Sequence, residues 1–316
     1  MKTFLALKNI SKNFSNKTAV ANISFAVSQG EVVGFLGPNG AGKTTTMRML
    51  TGFLQASSGE IEILGNIATA QNRADLNRHI GYLPEGAPLY PDMTPFDFLN
   101  FLGNVRGLDA KKLQERMDFV IETLSLKQVL HQTIETLSKG YKRRVCLAQA
   151  ILHDPEILIL DEPTDGLDPL QKADVRSLIK KLSPTKAILL STHILDEVEA
   201  ICSRALVISA GKIVAEGTSA ELRAHDPIAR SILLRTQQSA LEVSAALLND
   251  SSFARVEIED PHTCRVALAK NSEISALHNL ISKNSWRVLT LFEEPGCLDS
   301  AFKNLVSGSF SIKESA

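Results

Sequence analysis

Cysteine is scarce: four in 316 residues, at positions 146, 202, 264 and 297, with no C-x-x-C pair. Residues spaced in this way form no disulfide framework and read as reduced core or surface thiols. Excess charge of one sign is missing too. The formal net charge is −1, so no whole-protein field draws the chain onto nucleic acid or an anionic membrane. Aromatics make up 5% of residues, and no broad basic surface is interleaved with stacking rings, so a nucleic-acid partner is not expected. No apolar run approaches the roughly 18 residues of a membrane span. The opening segment Met1-Lys2-Thr3-Phe4-Leu5-Ala6-Leu7-Lys8 reaches Lys8 before an export signal could form. The expectation is a cytoplasmic protein whose membrane role, if it has one, comes through a partner. Internal repeats and low-complexity tracts are absent as well.

What is present is an ordinary globular composition, 44% hydrophobic and 22% charged, long enough for one large domain or two modest ones. Against that background Gly37-Pro38-Asn39-Gly40-Ala41-Gly42-Lys43-Thr44 fits the pattern G-x-x-x-x-G-K-[ST]. The apolar run Val32 to Leu36 before it reads as a buried strand, and Thr45 to Leu50 after it as a helix start. Strand, glycine turn and helix N-terminus together aim several backbone N–H groups at one point, a nest for polyphosphate. Lys43 would reach the β- and γ-phosphates and the Thr44 hydroxyl would ligate Mg²⁺.

Residues 3 to 36 read as antiparallel strands leading into the phosphate-loop strand. Thr94-Pro95-Phe96-Asp97 is a helix start, with Thr as cap and Pro in the first turn. Two amphipathic helices follow, the second carrying Leu113, Met117, Val120, Ile121 and Leu124 on one stripe. Strands and helices then alternate to about Ser209, the pattern of a mostly parallel α/β sheet. Near His225 the pattern restarts as βαββαβ, the order of a small ferredoxin-like sandwich, with a last helix from Leu298.

A phosphate loop alone does not choose among kinases, GTPases and transporter ATPases. Ile157 to Leu160 is an apolar strand ending in Asp161 and Glu162. Successive strand residues face opposite ways, so the two carboxylates cannot do the same work. Asp161 suits Mg²⁺ and Glu162 suits a general base that takes a proton from attacking water.

With these motifs in this order, the chain resembles the ATP-binding subunit of an ATP-binding-cassette (ABC) transporter. The resemblance covers residues 3 to about 220. Leu137-Ser138-Lys139-Gly140-Tyr141 looks like the family's signature sequence, in a Lys-Gly-Tyr form similar to the ABC-2-type exporter branch that includes gliding-motility and nitrous-oxide-reductase-associated ATPases. The commoner form has Gly at the Lys139 position and Gln at the Tyr141 position. Asp165-Gly166-Leu167-Asp168 resembles the D-loop, and Thr192-His193 the switch histidine. Phe14 sits where the family stacks an aromatic on adenine. Tyr82-Leu83-Pro84-Glu85 places Glu85 where the family usually has a Gln that ligates Mg²⁺.

The resemblance implies an α/β fold. Residues 1–225 would form a P-loop ABC cassette with a mostly parallel core sheet, an antiparallel β subdomain and a helical insert at about 86–136. Beyond the resemblance, the βαββαβ pattern of residues 226–316 predicts a small ferredoxin-like domain that aids dimerisation, regulates the ATPase or binds a second partner. The site would use Lys43, Glu162 and His193 in catalysis. ATP would be bound by Gly37 to Thr45, Phe14, Ser138, Gly140 and Asp168, with Mg²⁺ on Thr44, Glu85 and Asp161. Two cassettes, in a homodimer or a heterodimer, would pair head to tail, each ATP lying between Lys43 of one and Ser138 of the other. The resemblance also implies a separate polytopic membrane subunit and a place on the cytoplasmic face of the membrane. Phe96, Phe98 and Phe101 are candidates either for the groove that receives that subunit or for the insert's own core. The run Lys142-Arg143-Arg144 reads as a solvated helix face. A soluble cassette protein acting on ribosomes or DNA, and a small-molecule phosphotransferase, are the rival readings. The first usually has two cassettes or a long coiled coil in one chain, and the second would not explain Leu137 to Gly140 or His193.

Overall fold

The computed structural model describes residues 2–311 apart from 87, 227, 230, 270 and 271, and it divides into two units, Met1–Ser219 and Ala220–Ala316. The first unit opens with a long hairpin, β1 (Thr3–Phe14) and β2 (Lys17–Ser28), and continues into β3 (Val32–Leu36). After the glycine loop come α1 (Lys43–Leu50), β4 (Ser58–Ile63), β5 (Asn66–Ile67), α2 (Arg73–Leu76) and β6 (Ile80–Leu83). The helical insert supplies α3 (Pro95–Val105) and α4 (Ala110–Thr123). The rest alternates: α5 (Lys139–Ile151), β7 (Ile157–Asp161), α6 (Pro169–Leu182), β8 (Ala187–Thr192), α7 (Leu195–Ile201), β9 (Arg204–Ser209) and β10 (Lys212–Gly217).

Two sheets result. One is antiparallel, in the order β2-β1-β4-β5; the other runs β10-β9-β3-β8-β7-β6 and is parallel except at the β9–β10 hairpin. Every residue of β3, β7 and β8 is buried, as a sheet covered on both faces requires. The strand period of two divides the core. Val33, Phe35, Ile157, Ile159, Ala187 and Leu189 pack toward the antiparallel sheet and α1. Val32, Leu158, Leu160, Ile188 and Leu190 pack toward the insert and α5–α6. Each Val, Leu, Ile or Phe side chain among them contributes about 1.5–3 kcal/mol by leaving water.

The insert follows its sequence signals. The Thr94 side chain accepts from the Asp97 N–H, Pro95 opens α3, and Asp109 caps α4. Leu113, Met117, Val120 and Leu124 are buried, and Ile121 packs half-buried against them. Phe98 is buried, while Phe96 and Phe101 are exposed. Helix α5 lies close against β6 because Gly81 has no side chain: a Cβ there would sit 2.0 Å from the Ala150 carbonyl oxygen.

The second unit begins within α8 (Ser219–Arg223) and holds β11 (Ser231–Thr236), α9 (Ala240–Leu248), β12 (Phe253–Asp260), β13 (Thr263–Leu268), α10 (Ile274–Lys283), β14 (Val288–Glu293) and α11 (Leu298–Ser311). Its antiparallel sheet has the order β12-β13-β11-β14, the ferredoxin-like order expected from βαββαβ. Trp286, just before β14, is buried in the core of this unit.

Gly81→Ala is expected to force α5 off β6. Overpacking against backbone costs about 1–3 kcal/mol, so the thermal midpoint of the first unit should fall, as scanning calorimetry would report. An unchanged midpoint would show that the helix gives way freely.

Candidate active site

Two glycines fix the shape of the phosphate loop. A Cβ at Gly37 would lie 2.5 Å from the Ile208 carbonyl oxygen. Gly42 adopts φ +112, where a Cβ would also meet the Ala19 carbonyl oxygen at 2.7 Å. Gly42 caps α1 without any side-chain hydrogen bond, so the first-turn N–H groups are left to a ligand. Thr46 anchors the turn by donating to the Gly42 carbonyl at 2.9 Å. Lys43 is buried and folds back over the loop, donating to the Gly37 carbonyl at 2.7 Å. Its Nζ lies 3.6 Å from Glu162 Oε1.

Glu162 follows the last residue of β7 with φ +50, a left-handed conformation that costs a non-glycine residue on the order of 1–2 kcal/mol. Its N–H donates to the Ser191 carbonyl at 3.1 Å and lies 3.2 Å from the Ser191 hydroxyl. Its Oε2 meets His193 Nδ1 at 2.8 Å. A carboxylate only accepts, so Nδ1 is the donor and Nε2 is the remaining ring nitrogen. Asp161 is fully buried. Its Oδ1 accepts from the Ser191 hydroxyl, and its Oδ2 has no hydrogen-bond partner. Burial pushes the Asp161 carboxyl above its ordinary value, opposed by the Ser191 and Thr44 hydroxyls and reinforced by the charges of Glu85 and Glu162. Glu85 is exposed, and its Oε2 accepts from the Thr44 hydroxyl at 3.3 Å. Lys43, Thr44, Glu85, Asp161, Glu162 and His193 are thus brought together from four strand ends.

Comparison with known proteins gives the family. The ABC transporter family model matches residues 20–165. The ABC transporter ATP-binding protein YxlF of Bacillus subtilis is 37% identical over 84% of this chain and 90% of its own length. The chain belongs to the ABC transporter ATP-binding proteins. The linearmycin resistance ATP-binding protein LnrL of the same organism is 34% identical over 88% of this chain and 93% of its own. A solved ATP-binding subunit of an ABC transporter superposes on 70% of the chain with a TM-score of 0.65 at 30% identity. The first unit is therefore a P-loop ABC ATPase cassette, and the chain binds nucleotide as an ABC transporter ATP-binding subunit.

Ser138 and Asp168, also expected at the site, hydrogen-bond within their own helix starts. Ser138 is exposed and caps α5 by accepting from the Tyr141 N–H at 3.3 Å. Asp168 is exposed and caps α6 by accepting from the Gln171 N–H at 2.9 Å. Gly140 packs these two helix starts together, since a Cβ there would meet Gln171 Oε1 at 2.5 Å. Lys139, which replaces the commoner glycine, lies 3.6 Å from Asp165 in the D-loop. Of the remaining loop residues, Pro38, Thr44 and Thr45 are half-buried, and Asn39 and Gly40 face solvent. Phe14 is exposed near the hairpin tip, with the Lys12 ammonium 5.2 Å from its ring centre.

One expectation is corrected. Lys142-Arg143-Arg144 is not a solvated face: Arg143 is 5% exposed and donates to the carbonyls of Asp161, Glu162, Pro163 and Pro84. Successive helix residues turn by about 100°, so neighbouring charges take different surroundings. Lys142 reaches the Glu135 carbonyl and Arg144 pairs with Asp174 at 3.1 Å. Sequence reasoning also missed Ser191, whose only signal is a hydroxyl near the end of an apolar strand.

A carboxyl whose folded pKa exceeds its unfolded value destabilises the fold once ionised. The penalty is absent below the unfolded value and complete above the folded one. Nucleotide-free Asp161→Asn should therefore melt higher than wild type at pH 7, with the advantage shrinking as pH falls through the folded pKa. Scanning fluorimetry across that range checks both signs.

Proposed function

We propose that the chain energises an exporter through two cassettes that close head to tail over shared ATP and open when the γ-phosphate is lost. The observation that carries this reading is the Glu162 carboxylate, held between Lys43 at 3.6 Å and His193 at 2.8 Å. In the proposed mechanism Glu162 takes the proton of the attacking water, and His193 fixes the carboxylate and turns its other ring nitrogen toward the terminal phosphate. Lys43 exchanges loop carbonyls for β- and γ-phosphate oxygens. Ser138, Gly140 and Asp168 complete the site of the second cassette, and Phe14 stacks on adenine.

The residues present fit Mg²⁺. Asp161 Oδ2 is a buried oxygen without a partner, and the Thr44 hydroxyl and Glu85 add oxygen donors beside it. Among the described residues no group of three or more His, Cys, Asp or Glu side chains could hold a metal alone. That suits an ion bound through one or two carboxylates plus substrate phosphates. Thr44, Glu85 and Asp161 would hold Mg²⁺, which would supply positive charge to offset that of the phosphates.

No helix among the described residues is long and apolar enough to cross a membrane, so a separate membrane subunit, met at the cytoplasmic face, would carry the transport path. Export is supported by the resistance role in the name of LnrL and by the Lys-Gly-Tyr signature. The alignments to YxlF and LnrL extend past the cassette, which supports a dimerising or regulatory use of the C-terminal domain within such subunits.

Glu162→Gln should keep ATP affinity, accumulate an ATP-bound dimer on size exclusion, and lose hydrolysis by about 10²-fold or more. Hydrolysis at the wild-type rate would remove Glu162 as the base.

A further inference from the structure

Arg143 lies on α5, five residues beyond Ser138. It makes no ion pair among the described residues. Its guanidinium instead donates to four backbone carbonyls: Asp161 at 2.7 Å, Glu162, Pro163 at 3.2 Å and Pro84 at 3.4 Å. Three of these belong to consecutive residues around the left-handed Glu162. The fourth immediately precedes Glu85. Asp161, Glu162 and Pro163 are buried, so without this donor their carbonyls lose a partner where water does not easily replace it. Only a planar fork with five N–H groups can serve several converging carbonyls at once, and a lysine ammonium cannot span them.

We propose that Arg143 is a positioning residue: from the signature helix it clamps the turn bearing Glu162 and the loop bearing Glu85 into one rigid unit. Base and metal-side carboxylate are then set by a single side chain that touches neither substrate nor carboxylate. The proposal rests on Glu162 being the base.

The test compares Arg143→Ala, Arg143→Lys, Glu162→Gln and the double variant Arg143→Ala/Glu162→Gln in the full chain. Displacing a catalytic group by about 1 Å can cost on the order of 10²-fold. Arg143→Ala should accordingly lower kcat by about 10- to 100-fold while ATP KM and Kd stay within about threefold. Arg143→Lys should recover only a minor part of kcat, and half-activation should need more Mg²⁺ in both. In the Glu162→Gln background, adding Arg143→Ala should cost less than about threefold further, because both changes act on one group.

A wild-type kcat in Arg143→Ala overturns the clamp. So do kcat and ATP affinity falling together, or additive losses in the double variant. If Arg143→Ala does not fold, Arg143→Lys alone decides, because full activity in it also overturns the proposal. Glu162→Gln hydrolysing at the wild-type rate sinks the base reading instead, and the two failures are thereby told apart.

Discussion

The parallel register of four neighbouring strands is the constraint on which the site depends. In the order β3-β8-β7-β6, each strand ends beside the next, and each hands over one piece: the phosphate loop, His193, the Asp161-Glu162 pair and Glu85. Positions 43, 85, 162 and 193 are far apart in the chain, yet they meet because a crossover returns every strand in the same direction. Ligands of open α/β sheets bind outside the carboxyl ends of the strands for this reason. The continuous burial of β3, β7 and β8 holds the four ends in register, so the geometry of the charged groups is inherited from an apolar core.

Charge is distributed across that edge in a way that follows from burial. Asp161 and Glu162 are adjacent carboxylates, both largely removed from water. Glu162 is matched by Lys43 and His193, and it stays within reach of solvent through His193, which is exposed. Asp161 lies deeper, bonded through one oxygen to Ser191, and burial raises its pKa. The two carboxyls are separated by the left-handed turn at Glu162: one looks down into the sheet edge and the other out toward the loop. Strand alternation already parts adjacent side chains, and the positive φ of Glu162 takes its carboxyl out of the strand altogether.

Much of this was legible in the sequence because the informative stretches combine strong period with strong chemistry. Ile157 to Glu162 and Gly37 to Thr44 each pair an apolar run with residues that have one evident use. The ferredoxin-like order was legible for the same reason, since its helices and strands are short, clean and separated by turn residues. The strand bounds within the antiparallel hairpin were less legible. β1 and β2 each run for twelve residues, and their pairing carries register shifts around Ile10 and Lys12, so polar residues interrupt the alternation. β4 and β6 went unread because Ser58 to Glu60 is exposed and Gly81 dilutes a four-residue strand. Arg143 was misread because a run of charges in sequence is not a run in space on a helix.

The same helix geometry bears on how two sites could communicate. Ser138 and Asp168 cap their own helices and do not hydrogen-bond to the Lys43–Glu162 cluster, so in the proposed pair one chain would present two separate half-sites. Along α5, Ser138 and Arg143 are about 7.5 Å apart on the axis at 1.5 Å per residue. A load applied at the N-terminus of that helix reaches the carbonyls of Asp161 and Glu162 through one rigid element and one guanidinium. In the proposed head-to-tail pair the nucleotide seated on Ser138 would belong to the other site. The path from one nucleotide to the opposite base then needs no long chain of contacts, only a helix that moves as a body and an arginine that keeps hold of the turn.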